Sequence, residues 1–104
     1  MTIRFKIEPE AEAQFETLDS WWRNNREAAT TQLADELTRI KLMLAAQPEI
    51  GKLSKQRGMR NTRWVPLHKT PYLLYYHHEP GSDLVTILSF WSAMKKRGPK
   101  LRKL

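Results

Sequence analysis

At 104 residues the chain has room for one domain with one hydrophobic core. Four Trp, three Tyr and three Phe supply large pieces for that core, and 28% charged residues with only four Gly argue against a disordered or collagen-like chain. There is no Cys, which removes disulfides, thiolate metal sites and Cys nucleophiles from consideration.

The net charge of +7 is unevenly spread. Residues 1–50 carry six Lys/Arg against nine Asp/Glu, a net −3, whereas residues 51–104 carry twelve against two, a net +10. A basic surface on an otherwise mildly acidic domain suits nucleic acid or an acidic protein partner. Met1 to Pro9 alternates instead of forming the apolar run of a signal peptide, and no stretch approaches the length of a membrane span. A cytoplasmic protein without a membrane partner is expected.

Thr2–Glu8 places Ile3, Phe5 and Ile7 on one face and Arg4 and Lys6 on the other, the two-residue period of a half-buried strand. Pro9 ends that strand and suits the first position of a helix. From Glu10 to about Asn24, Ala11, Phe15, Leu18 and Trp22 follow one helical stripe, with Glu10, Glu12 and Glu16 near its positive end. Asn24-Asn25 predicts a break. A second helix puts Ala29, Leu33, Leu37, Ile40 and Leu44 on one face and stops before Pro48; Leu42 falls off the stripe. So short a link predicts an antiparallel helix hairpin.

Pro48–Gly58 reads as a loop. Three strands follow, Met59–Leu67, Tyr72–His78 and Leu84–Trp91, the last two joined by the turn residues Glu79–Asp83. The expected fold is α+β: an N-terminal strand and an antiparallel helix hairpin packed on an antiparallel β-sheet of three to four strands, in a single domain over residues 1–104. Residues 98–104 read as a flexible basic tail, set off by Gly98-Pro99.

The titratable residues give no ready catalytic set. RNA cleavage needs a base, an acid and cations around phosphorus. His68, His77 and His78 supply titratable groups, and Arg60, Arg63, Lys69 and Arg97 supply phosphate-binding cations. His77 and His78 are adjacent on a strand and point to opposite faces, so the expectation for them is exposed polar residues near a hairpin turn. Three His without a carboxylate at ligand spacing make no metal site, and no cofactor is expected. Tyr72, Tyr76 and Trp91 are expected in core or cross-strand packing. Trp64, between Arg63 and Val65-Pro66, is the candidate exposed aromatic.

The order of elements, with WWRNNREAA at the helix turn, PEIG after the second helix, GMR, KTPYLLYY and VTILSFWSAMKKRGPKL in the sheet and tail, resembles the ParE branch of the ParE/RelE toxin superfamily over nearly the whole chain. The resemblance implies a plasmid-stabilisation type of toxin in a type II toxin–antitoxin module, paired with a cognate acidic antitoxin in a hetero-oligomer. It implies DNA gyrase or a gyrase–DNA complex as the target; the RelE branch instead implies a ribosome-dependent mRNA endonuclease. RelE-like nucleases place a Tyr or His near the end of the last strand, and Ser89–Leu104 contains neither, which favours the ParE-like reading. A non-toxic nucleic-acid-binding module is the third alternative. Charge placement and resemblance together single out Arg60, Arg63, Lys95, Lys96 and Arg97 for target binding, with Trp64 as an aromatic contact.

Overall fold

Alternation and strand pairing set the sheet. In the computed structural model, which describes residues 2–26, 28, 30–56, 59–95 and 97–101, the elements are β1 (Arg4–Ile7), α1 (Pro9–Asn25), α2 (Gln32–Ala46), β2 (Lys52–Leu53), β3 (Thr62–Pro66), β4 (Tyr72–His77) and β5 (Leu84–Ser92). They form one five-stranded sheet in the order β1-β5-β4-β3-β2. β2 to β5 run as an antiparallel meander, and β1 joins β5 in parallel, Phe5 opposite Val85 and Ile7 opposite Ile87. The α+β expectation holds, with one parallel pair and one more strand than foreseen. β1 leads directly into a helix, so its partner is a strand remote in sequence.

Pro9 opens α1 and Glu8 stands at its N-cap. The amide of Glu8 donates to the Ile87 carbonyl at 3.0 Å, so the β1 ladder runs to the helix start. Ala11 is fully buried, and Phe15 and Leu18 pack against the core. In α2, Leu33, Leu37, Ile40 and Leu44 form the buried stripe, while Leu42 is 70% exposed. Ala29, the expected start of that helix, lies outside the described residues. Glu36, buried on the same helix, accepts the Lys69 amide at 2.6 Å and the Thr70 hydroxyl at 3.3 Å, which pins α2 to the β3–β4 connection.

Both helices cover one face of the sheet, meeting Val65, Leu74, Tyr76, Val85, Ile87 and Phe90. A strict two-residue period would turn Phe90 away from Val85 and Ile87. The register resolves this: Tyr75 stands opposite Ser89 and Tyr76 opposite Ile87, leaving Leu88 as an extra residue. This β-bulge resets the phase of β5, and all three side chains reach the core.

The other strand ends fall within two residues of expectation, but the start of β3 and the presence of β2 depart from it. β3 begins at Thr62 and not at Met59, because Asn61 takes a left-handed turn (φ 54°) just before it. β2 lies within the stretch read as loop. Two residues carry no alternation, and this strand exists only through its pairing with β3.

Candidate target-binding face

The two faces of the sheet separate residues that are neighbours in sequence. Leu53, Arg63 and Tyr76 stand opposite one another across β2, β3 and β4, and Tyr76 belongs to the helix-covered core. One residue along each strand, Lys52, Trp64 and Tyr75 form the next row, on the face away from the helices.

Arg63 belongs to the inner row. Its guanidinium Nη1 donates to the Gly51 carbonyl at 2.7 Å, and the Gly51 amide donates to the Tyr76 hydroxyl at 3.0 Å. A β-carbon at Gly51 would sit 2.7 Å from that hydroxyl and 2.9 Å from the Trp64 carbonyl, so only glycine fits. Arg63 thus ties the chain after α2 to the sheet, and its charge is engaged there.

Trp64 is half-buried, with the Lys52 ammonium 5.5 Å from its ring centroid. The tryptophan exposed more fully is Trp21, at 47%. The Arg26 guanidinium sits 6.0 Å from the Trp21 ring and 5.6 Å from that of Trp22. Trp22 in turn donates its indole N–H to the Tyr72 hydroxyl at 3.3 Å.

The cations of the C-terminal segment are held near Trp91. The Lys95 ammonium lies 4.1 Å from the Trp91 ring centroid, and the Trp91 indole N–H donates to the Arg97 carbonyl at 2.7 Å. Both cationic side chains are exposed. Lys96 lies outside the described residues, as do residues 102–104 of the basic tail. Pro99 is buried, and Gly98 packs beside Gln56 and the Tyr75 hydroxyl.

Arg60 is exposed before β3, close to the end of β4 where His77 pairs with Thr62, whereas Lys95 follows the end where Ser92 pairs with Tyr72. Those ends are five strand residues apart, about 17 Å. Arg60 and Lys95 therefore belong to opposite ends of the sheet. Two cations of β2 and the loop after it, Lys52 and Lys55, line a separate cleft of about 460 Å³ with Gln56, Trp64, Tyr75 and, from the C-terminal segment, Gly98.

The histidines depart from expectation. His68 is exposed, but His77 and His78 are 9% and 4% exposed. His78 Nε2 lies 2.9 Å from the Ser82 carbonyl, so the hairpin turn folds over its ring; His77 Nε2 lies 3.6 Å from a Glu79 carboxylate oxygen. Tyr76 is in the core, as expected, while Tyr72 and Trp91 are half-buried.

A second opening lies at the other edge of the sheet. β1 pairs with β5 only from Leu84 to Ile87. Beyond it the Phe90 amide donates to the side-chain carbonyl of Gln14 at 2.9 Å, which stands where a strand carbonyl would. A groove of about 490 Å³ runs here between α1 and β5, lined by Leu18, Tyr72, Phe90 and Trp91 together with the charged Glu10 and Lys95.

Sequence comparison with curated proteins finds no match. Among solved structures, the chain is similar to one described as the chromosomal ParDE TA system from P. aeruginosa, with a TM-score of 0.67 at 18% identity, covering 88% of this chain and 96% of that one. It is also similar to a mutant of the E. coli toxin RelE in the free state, with a TM-score of 0.55 at 20% identity, covering 90% of this chain and 86% of that one. At these identities the likeness is one of fold. The family described as ParE toxin of type II toxin-antitoxin system, parDE, matches residues 5–97, and the chain belongs to that family of toxins.

Proposed function

We propose that the chain inhibits growth by binding DNA gyrase or a gyrase–DNA complex, without bond-making chemistry of its own, and that a cognate acidic antitoxin neutralises it. Family membership carries the proposal. The charge distribution supports it, since the net +10 of residues 51–104 suits a target that includes DNA and a partner that is acidic. Lys95 and Arg97, together with Lys96, are the first residues to test. Trp91 holds the backbone at Arg97 and the side chain of Lys95, so these cations are presented from a fixed point.

The open stretch of β5 supports the antitoxin half of the proposal. An extended acidic segment would replace the Gln14 carbonyl at Phe90 with main-chain hydrogen bonds and bring carboxylates toward Lys95. Its affinity should fall with added salt.

The deciding experiment induces the toxin without antitoxin and assays cells for gyrase–DNA cleavage complexes. Their accumulation is expected, as is its loss on replacing Lys95, Lys96 and Arg97 together with Ala in a folded protein. Codon-positioned cuts in mRNA without gyrase complexes would replace the proposal with a ribosome-dependent nuclease. Undiminished growth would replace it with a non-toxic binding module.

A further inference from the structure

We propose that the cleft between β2 and the C-terminal segment binds single-stranded nucleic acid, with Lys52 and Lys55 on the phosphodiester backbone and Trp64 stacking on a base. The inference goes beyond the gyrase reading and stands whatever the toxin's target.

The cleft is built from donors. Lys52, Lys55, Gln56 and Tyr75 line it together with Leu53, Ser54, Trp64 and Gly98, and among the described residues no Asp or Glu does. A volume of about 460 Å³ is in the range of small-ligand sites and accommodates a nucleotide. Phosphate oxygens are the anionic acceptors that such a set satisfies best, since each carries no proton and takes several donors at once.

Tyr75 is the second, independent observation. Its residue is 7% exposed, in the middle of the sheet, yet its hydroxyl opens on the cleft beside Gly98. Burial alone pushes its phenol up, with no hydrogen bond or charge offsetting that effect. Protonated at neutral pH, the hydroxyl makes no hydrogen bond among the described residues and is a donor open to a ligand. Tyr76, its sequence neighbour, differs in that its hydroxyl oxygen accepts the Gly51 amide.

Trp64 adds the apolar component. Lys52 rests 5.5 Å from its ring centroid. A phosphate is a stronger partner for that ammonium than an indole face, so a nucleotide would draw Lys52 away and free the ring for stacking. The reading is of binding and not of cleavage: none of the three His lines the cleft.

The test is a fluorescence anisotropy titration of the purified chain with a labelled single-stranded oligothymidylate at several salt concentrations. Matched arms use duplex DNA, inorganic phosphate, polyglutamate and an oligoribonucleotide checked for breakage. Binding is expected to be tighter for the single strand than for duplex, with intrinsic Trp quenching that Trp64→Phe removes. K52A/K55A should lower the slope of log affinity against log salt by about 1.4, the contribution of two single-strand phosphate contacts. Tyr75→Phe should weaken binding roughly tenfold, the loss of one hydrogen bond to a charged group. Thermal melts of each variant would confirm that it folds.

Equal affinity for duplex, or a salt slope unchanged in K52A/K55A, would overturn the proposal. Saturable binding of polyglutamate in place of the oligonucleotide would reassign the cleft to an acidic protein segment. Breakage of the RNA arm would overturn the reading of binding without cleavage. Because no gyrase is present in the assay, its failure leaves gyrase poisoning untouched, and absence of gyrase complexes in cells leaves the cleft intact.

Discussion

Tyr75 and Tyr76 are adjacent, both buried, and put to opposite uses. On the helix side, the Tyr76 hydroxyl accepts the Gly51 amide and Arg63 donates to the Gly51 carbonyl, which joins the chain after α2 to the sheet. On the outer side, Tyr75, Trp64 and Lys52 leave a hydroxyl, a half-buried indole and an ammonium facing a cleft. Burial of polar groups thus has two meanings in this domain. Where a hydroxyl oxygen takes a backbone amide, as at Tyr76, it holds the fold; where a hydroxyl has no hydrogen bond among the described residues, as at Tyr75, it is open to a ligand.

Substitutions in paired positions test that contrast. The largest difference should come from glycine. Gly51→Ala forces a β-carbon against the Trp64 backbone and the Tyr76 hydroxyl, costing about 2–3 kcal/mol and a Tm drop of roughly 10–20 °C. Gly98→Ala meets the far end of the flexible Gln56 side chain, with the Tyr75 hydroxyl at ordinary contact distance, and should stay within about 0.5 kcal/mol. Equal melting curves for the two variants would remove the asymmetry between the faces.

The tyrosine pair should show a smaller separation. Tyr76→Phe leaves the buried Gly51 amide without its acceptor and should cost about 1–3 kcal/mol in urea denaturation. Tyr75→Phe should be nearly neutral for stability, and a large loss there would mean that its hydroxyl has a structural partner. The same logic separates Arg63→Ala, expected to cost about 1–2 kcal/mol through the Gly51 carbonyl, from Lys52→Ala, expected near 0.5 kcal/mol or less.

The smallest effect lies at the surface, outside both rows. The Arg4 guanidinium bonds the Asp83 carboxylate at 2.9 and 3.0 Å, tying β1 to the start of β5, and holds that carboxyl below its usual range. A carboxyl depressed on folding contributes stability above its unfolded pKa, and that contribution fades as pH falls through the folded value. Asp83→Asn should therefore slightly flatten the acid side of the stability profile and leave alkaline behaviour alone. An unaltered acid limb would show that the exposed pair contributes nothing.

Much of the fold was legible because each helix carries its stripe in consecutive sequence. Ala11, Leu33, Leu37, Ile40 and Leu44 are buried where the periodicity put them, and Leu42 is exposed where it broke the pattern. The candidate site was less legible. β4 reads Tyr72-Leu73-Leu74-Tyr75-Tyr76-His77, with large side chains in both phases, so alternation alone cannot say which phase meets the helices. Arg63 looked like a free cation because its partner, the Gly51 carbonyl, is a backbone group with no sequence signature. Tyr75 was missed for the same kind of reason: its exposure to a cleft depends on Gly98 arriving from the tail.

By itself the sequence determined the element types, the α+β class and the concentration of positive charge after residue 50, because local periodicity, breakers and composition act over neighbours in the chain. Only the tertiary structure decided the parallel seat of β1, the existence of β2, the bulge at Leu88 and the division of the basic residues between a pinned Arg63, a remote Arg60 and a cleft at Lys52 and Lys55. Each of these follows from pairings between segments far apart in sequence, whose register local propensity does not encode.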